Sequence, residues 1–162
     1  MTPLEAFLRQ YPPERIRIQA ANEGELRHLG ASDGVLELSG APANTETQGG
    51  PDDPSACHLW VIWPEGVPYI LERAPLVQPP LQTGKAKHSN LTGGADASCG
   101  GELWVDPVDA SKLYVNGASG RYGPRTAKQL EDAVALFRSR GFTVESFGWD
   151  ELNGRAWRVF RR

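Results

Sequence analysis

Residues 58–73 read HLWVIW, then PEGV, then PYILER, and this run constrains the fold more than any other. A strand with one face in water alternates polar and apolar side chains, because successive residues point to opposite faces. HLWVIW does not alternate, so it reads as a central strand, buried on both sides. PEGV has the chemistry of a turn, and the second apolar run then returns beside the first as a hairpin.

More strands cluster around this hairpin. GELWVD and SKLYVN are joined by the turn-forming PVDA. RIRIQA alternates, GVLELSG is a further candidate, and FTVESFGW and RAWRVFRR flank Asn153-Gly154, a hairpin signal. Two stretches carry helical spacing instead. In TPLEAFLRQYPP, Thr2 and Glu5 form a capping box, Pro3 fits the first turn, and Leu4, Phe7, Leu8 and Tyr11 share one face. In RTAKQLEDAVALFRSRG, Thr126 and Gln129 form a second box and Leu130, Ala133, Val134 and Phe137 an apolar stripe; Gly141 closes the helix. No internal repeat and no βαβ rhythm is visible. The expected fold is α+β, a mainly antiparallel sheet built from hairpins with two principal helices at about 3–11 and 126–140. Residues 41–57, APANTETQGGPDDPSAC, are almost free of apolar side chains and read as a long loop or mobile insertion. The forty or so residues before them are few for an independent core, so 1–162 is expected to be a single globular domain.

At 162 residues and 40% hydrophobic content the chain can bury a real core. Its net charge of −3 argues against duplex DNA or an anionic membrane as partner. Cys57 and Cys99 sit in no C-x-x-C pattern and beside no His/Cys cluster, so no metal site is expected. The start carries no basic-then-apolar signal region, and no apolar run approaches ~20 residues. The expectation is a cytoplasmic protein with both thiols reduced; export by a specialised secretion system would leave no such signal.

Three polar, glycine-rich stretches adjoin strands or the second helix: KHSNLTGG at 87–94, SCGGEL at 98–103 and NGASGRYGPR at 116–125. Antiparallel neighbours bring strand ends together, so the three can share one rim of the sheet. Glycines there allow a ligand close to the backbone and leave N–H groups for anions. His88, Glu102 and Tyr122 are the candidate catalytic residues. Ser89, Asn90, Gly93, Gly94, Ser119, Gly120 and Arg121 are candidate ligand contacts. Each has a plainer reading: His88 as a sheet histidine on a neighbouring carbonyl, Glu102 as a solvent-face residue, the glycines as turns, Tyr122 as packing and Arg121 as a solvated side chain. His28, His58 and the five tryptophans read as structural or exposed.

The run KHSNLTGGADASCGGELWV…LYVNGASGRYGPRTAKQLEDAVALFRSRGF resembles a module in plant IQ-motif calmodulin-binding proteins and in bacterial effector-like and toxin-like proteins. The module reads approximately H-S-S-F-x-x-G-G, then a G-E/R-L strand, then S-G-H-Y-x-P before a helix. His88, Ser89, Gly93, Gly94, Gly101, Leu103, Ser119, Gly120, Tyr122 and Pro124 match it. The histidine before the tyrosine is replaced by Arg121, and the IQ segment itself is absent. The resemblance implies that the three stretches belong together; it implies no particular reaction.

Three functions compete. The first is a small enzyme on a nucleotide-like ligand, ADP-ribosyltransferase-like or NAD-cleaving, with NAD as substrate rather than permanently bound cofactor. There His88 and Ser89, on a strand, hold the nicotinamide ribose and amide, Tyr122 stacks on the ring, and Glu102 or Glu145 stabilises oxocarbenium-like charge. The second is a metal-independent ribonuclease using His88, Glu102, Arg121 and Tyr122. The third is an immunity-type module that binds a ligand or protein without turnover.

Overall fold

The computed structural model describes residues 1–14, 23–74 and 84–161. RIRIQA and most of the proline-rich stretch after PYILER lie outside them.

The first helix, α1 (Pro3–Gln10), opens with the expected capping box. The Glu5 N–H donates to Thr2 Oγ1 and the Thr2 N–H to Glu5 Oε2, both at 3.1 Å. After the short α2 (Glu23–Leu26) come β1 (Leu36–Glu37), β2 (His58–Ile62), β3 (Pro68–Leu71), β4 (Cys99–Val105) and β5 (Lys112–Asn116). Helix α3 (Ala127–Ser139) leads to β6 (Thr143–Ser146), and β7 (Trp149–Asp150) and β8 (Arg155–Ala156) follow. At α3, Thr126 Oγ1 accepts from the Gln129 N–H at 3.0 Å. The Gln129 side chain does not return to the cap. It accepts from the Arg125 N–H and donates to the Ser98 carbonyl, which ties the start of α3 to the start of β4. Gly141, at φ 92°, takes the left-handed conformation that ends the helix.

Six strands form one sheet in the order β1-β3-β2-β4-β5-β6. The fold is α+β, and β2 is central and fully buried, as its unbroken apolar run requires. Two expectations change. Residues 143–146 do not turn back onto the C-terminal strand; β6 pairs in parallel with β5, so β5, α3 and β6 make one βαβ unit in a mixed sheet. The hairpin around Asn153-Gly154 does form, but it joins only β7 and β8, as a separate two-stranded sheet. The physical reason lies in α3. Its apolar stripe must lie on the sheet, and the helix then delivers residues 143–146 to the open edge of β5. An edge strand with one buried side chain, Val144, is all that position requires.

The 41–57 stretch holds only a 3₁₀ turn (Pro54–Ala56) and is tied across the β4–β5 end of the sheet. The Gly49 N–H donates to the Val105 carbonyl at 2.9 Å and Trp104 Nε1 to the Asp53 carbonyl at 2.8 Å.

The two faces of the sheet are covered differently. On one, Trp60, Ile62, Leu103, Val105, Leu113 and Val115 meet α1 and α3 in a continuous apolar core with Leu130, Val134 and Phe137. On the other, Leu59, Val61 and Ile70 pack against Leu29, Leu91 and Tyr122. Trp104 forms a second, separate cluster there with Cys57 and Phe147. Glu102 lies between these clusters, because β4 alternates and Gly100, Glu102 and Trp104 share that face. Cys57 and Cys99 are buried and unbridged. Among the described residues no helix is long and apolar enough to cross a membrane, and no group of His, Cys, Asp and Glu is placed to hold a metal ion.

Candidate active site

A cleft of about 300 Å³ opens over Glu102 in the gap between the two clusters. Three chain segments meet there, one from each glycine-rich stretch. A 3₁₀ turn (His88–Leu91) brings His88 and Ser89, β4 brings Glu102, and the loop after β5 brings Ser119, Gly120 and Arg121. His88 is therefore on a turn and not on a strand, as the first reading had it.

His88 is held by one ring nitrogen. Its Nε2 lies 2.8 Å from the Gly101 carbonyl oxygen, which can only accept, so Nε2 carries the proton. Burial lowers the pKa of the ring; the Gly101 bond and the charge of Glu102 oppose that shift but do not overcome it. The ring is neutral near pH 7, and its Nδ1 is a lone-pair acceptor. The ring comes this close to β4 because residue 100 is glycine. A Cβ there would stand 3.1 Å from Tyr122 Cβ and 3.4 Å from His88 Cδ2, so the missing side chain lets both residues close on the strand.

Glu102 is fixed from two sides. Its Oε1 accepts from Asn116 Nδ2 at 2.9 Å, and its Oε2 accepts from the Cys57 thiol at 3.4 Å. Burial, then the charges of Glu102 and Glu72, push the Cys57 thiol pKa up, so it stays protonated and serves as a donor. Asn116 is fully buried and does more. Its Oδ1 accepts from the N–H groups of Glu102 and Ala118, both at 2.9 Å, and its Nδ2 reaches the Arg158 carbonyl. One side chain thus sets the carboxylate, the start of the 117–121 loop and the C-terminal segment.

Arg121 differs from every other charged group in the cleft. It is only 9% exposed, and its Nη1 is buried with no hydrogen-bond partner among the described residues. A buried guanidinium nitrogen left unpaired is costly, and such a group calls for an acceptor. Lys87 and Arg158 add two cations to the lining, against the carboxylates of Glu25, Glu72 and Glu102.

Six of the ten sequence candidates line this cleft: His88, Ser89, Glu102, Ser119, Gly120 and Arg121. The other four support its walls. Tyr122 is fully buried; its OH donates to the Ala95 carbonyl at 2.6 Å and lies 3.1 Å from Thr92 Oγ1, so no ring face is open for stacking. Asn90 is also fully buried. Its Oδ1 accepts from the Lys87 N–H, and its Nδ2 donates to the carbonyls of Gly24 and Arg27, joining the turn to α2. Gly93 and Gly94 take φ values of 64° and 84°, a tight turn packed against His28 and Leu26. Glu145 pairs with Lys112 at 2.8 Å on the edge strand β6, apart from the cleft. Sequence reasoning missed Asn116, Lys87 and Arg158. Asn116 carried a signal, an amide ending a strand just before a glycine; the two basic residues carried none. Compared with family models, curated proteins and solved structures, this chain matches none.

Proposed function

We propose that the cleft binds a phosphate-bearing, nucleotide-like small molecule and that the protein is an enzyme acting on it, NAD-cleaving or ADP-ribosyltransferase-like. The observation that carries the reading is Arg121, which lines a cleft that also holds a neutral histidine and an oriented carboxylate, and whose buried Nη1 has no hydrogen-bond partner among the described residues. Arg121 receives the anionic group, since a guanidinium matches a phosphate bidentately. Ser89 and Ser119 offer hydroxyls to sugar or amide groups. Glu102, held by Asn116 and Cys57, is the group that stabilises positive charge developing on a ribose as its glycosidic bond breaks. Tyr122 does not stack on the ring, because its own ring is enclosed. The resemblance over 85–142 to plant IQ-motif calmodulin-binding proteins and to bacterial effector-like and toxin-like proteins implies no particular reaction and adds nothing to this choice.

The free His88 Nδ1 favours a second reading. A neutral imidazole with one nitrogen anchored and the other open is suited to proton abstraction, and beside Arg121 it meets the needs of a metal-independent ribonuclease. One experiment separates these. The protein is incubated with NAD and, in parallel, with single-stranded RNA, and nicotinamide release and strand cleavage are followed. The first reading expects nicotinamide release, abolished in Glu102→Gln with NAD binding retained. RNA cleavage that depends on His88 supports the second. NAD binding with no turnover of either substrate makes the cleft a non-catalytic, immunity-type binding site.

A further inference from the structure

A second cavity, about 280 Å³, adjoins the cleft. Ala118, Ser119, Gly120 and Arg158 line both, so the loop after β5 is a thin partition of small residues between them. Their charges differ. Three carboxylates and three cations line the cleft, whereas the second cavity has Arg155 and Arg158 and no carboxylate among its described lining residues. Its floor is close-packed. A Cβ on Gly117 would meet Pro124 Cγ at 2.5 Å, and one on Gly123 the Ser119 carbonyl at 2.6 Å. Each cavity alone lies at or below the lower end of the range for small-molecule sites, about 300–1,000 Å³. Together they suit a ligand built of two similar halves.

We infer that the ligand is a dinucleotide joined by a pyrophosphate, with one half in the cleft over Glu102 and the other in the Arg155 cavity. The linking phosphates cross the partition at Ser119-Gly120, where Arg121 stands on one side and Arg158 serves both. Glycine at 120 and the small side chains of Ala118 and Ser119 leave room for that crossing. The inference rests on the reading of the cleft as a nucleotide site and adds the second half-site to it.

The test is calorimetric titration of the full chain with NAD and with nicotinamide mononucleotide, the half that the cleft over Glu102 would take. NAD should bind at least about tenfold more tightly than the mononucleotide. Arg155→Ala, whose side chain is exposed and lines only the second cavity, should bring NAD down to the affinity of nicotinamide mononucleotide and leave the mononucleotide unchanged. Arg155→Glu should do the same, and an unchanged melting temperature certifies that both variants fold. If nicotinamide mononucleotide binds and NAD binds no better, or if Arg155→Ala leaves the difference intact, the second half-site is overturned while the cleft reading stands. If Arg155→Ala weakens nicotinamide mononucleotide as much as NAD, the assignment of halves to cavities is overturned. If an oligoribonucleotide binds and neither nicotinamide mononucleotide nor NAD does, the dinucleotide is overturned in favour of RNA. If nothing binds, the cleft reading falls first and the half-site with it.

Discussion

The two faces of the sheet each carry a neutral histidine, and the two are finished differently. His58, on the helix-covered side of β2, is fully buried with both ring nitrogens used. Its Nδ1 donates to the Ala56 carbonyl at 2.8 Å, and its Nε2 therefore accepts from Thr45 Oγ1 at 2.9 Å. His88, on the other side, has Nε2 anchored, Nδ1 without a hydrogen-bond partner among the described residues, and a place in the wall of a cleft. The same contrast holds at larger scale. One face has a continuous apolar core under α1 and α3; the other has two small clusters with polar groups in the gap. Covering a sheet face completely yields stability, and leaving a gap in the cover yields a place for a ligand. Substitutions on the first face should therefore be read in folding, and those in the gap in binding.

The largest expected effect is on the covered face. Val134 is 2% exposed under α3, within the cluster of Leu130 and Phe137. Val134→Asp buries a charge with no partner and should cost about 3 kcal/mol or more, seen as a lower urea midpoint. An unchanged midpoint would mean that α3 does not lie on this face.

How far these two faces could be read from the sequence follows from the same contrast. The capped helices and the unbroken run of β2 are local patterns, so α1, α3 and the central hairpin were legible. The parallel pairing of β6 was not. TVES carries a single buried side chain, and nothing local says which strand it will join; the Asn-Gly turn nearby gave a competing signal that β7 and β8 satisfied instead. Composition marked the cleft stretches, since glycine, hydroxyl and ionisable residues crowd together there. Side-chain direction was out of reach. Arg121 and Tyr122 are neighbours of similar promise in sequence, and only packing decides that the ring goes into the core while Arg121 lines the cleft with its Nη1 unpaired among the described residues.

His58 supplies the next effect. Burial lowers its pKa from 6.5 to about 4. Above pH 6.5 the ring is neutral in both folded and unfolded chains. As the pH falls below that, the unfolded chain binds a proton that the folded one refuses, so stability falls toward pH 4 and levels off once the folded ring also protonates. The loss should be about 3 kcal/mol across this window. Comparing urea midpoints of wild type and His58→Gln at pH 7 and pH 4.5 isolates it from the carboxylates, which titrate in both. A parallel fall in the two proteins would show that the ring is not held neutral.

Tyr122→Phe probes the wall between the faces and the gap. It removes the hydroxyl that donates to the Ala95 carbonyl and leaves the ring in place. The expected cost is about 1–2 kcal/mol of stability, with ligand affinity changed by less than about threefold, or some 0.65 kcal/mol. Loss of binding without loss of stability would return Tyr122 to the ligand's side of the wall.

The smallest change in stability should come from the residue with the largest role in binding. Arg121 is nine-tenths buried, yet its Nη1 has no hydrogen-bond partner among the described residues. A structural arginine in such a place would have its donors satisfied, and removing it would strip partners of their bonds. Here the folded state already carries the cost of an unpaired cationic group. Arg121→Met keeps the length and apolar stem of the side chain and removes the charge. It should leave the melting temperature unchanged or raise it, within about 1 kcal/mol in free energy, because no partner is orphaned and a desolvated cation is relieved. In the same variant, binding of nicotinamide mononucleotide and NAD should weaken by at least tenfold, since a charge-assisted contact to phosphate is lost, of the order of 1.5–3 kcal/mol. Both readings come from the same samples, one by thermal unfolding and one by titration. A large drop in melting temperature would make Arg121 part of the fold; unchanged nucleotide affinity would mean that the gap in the cover is not where the anion binds.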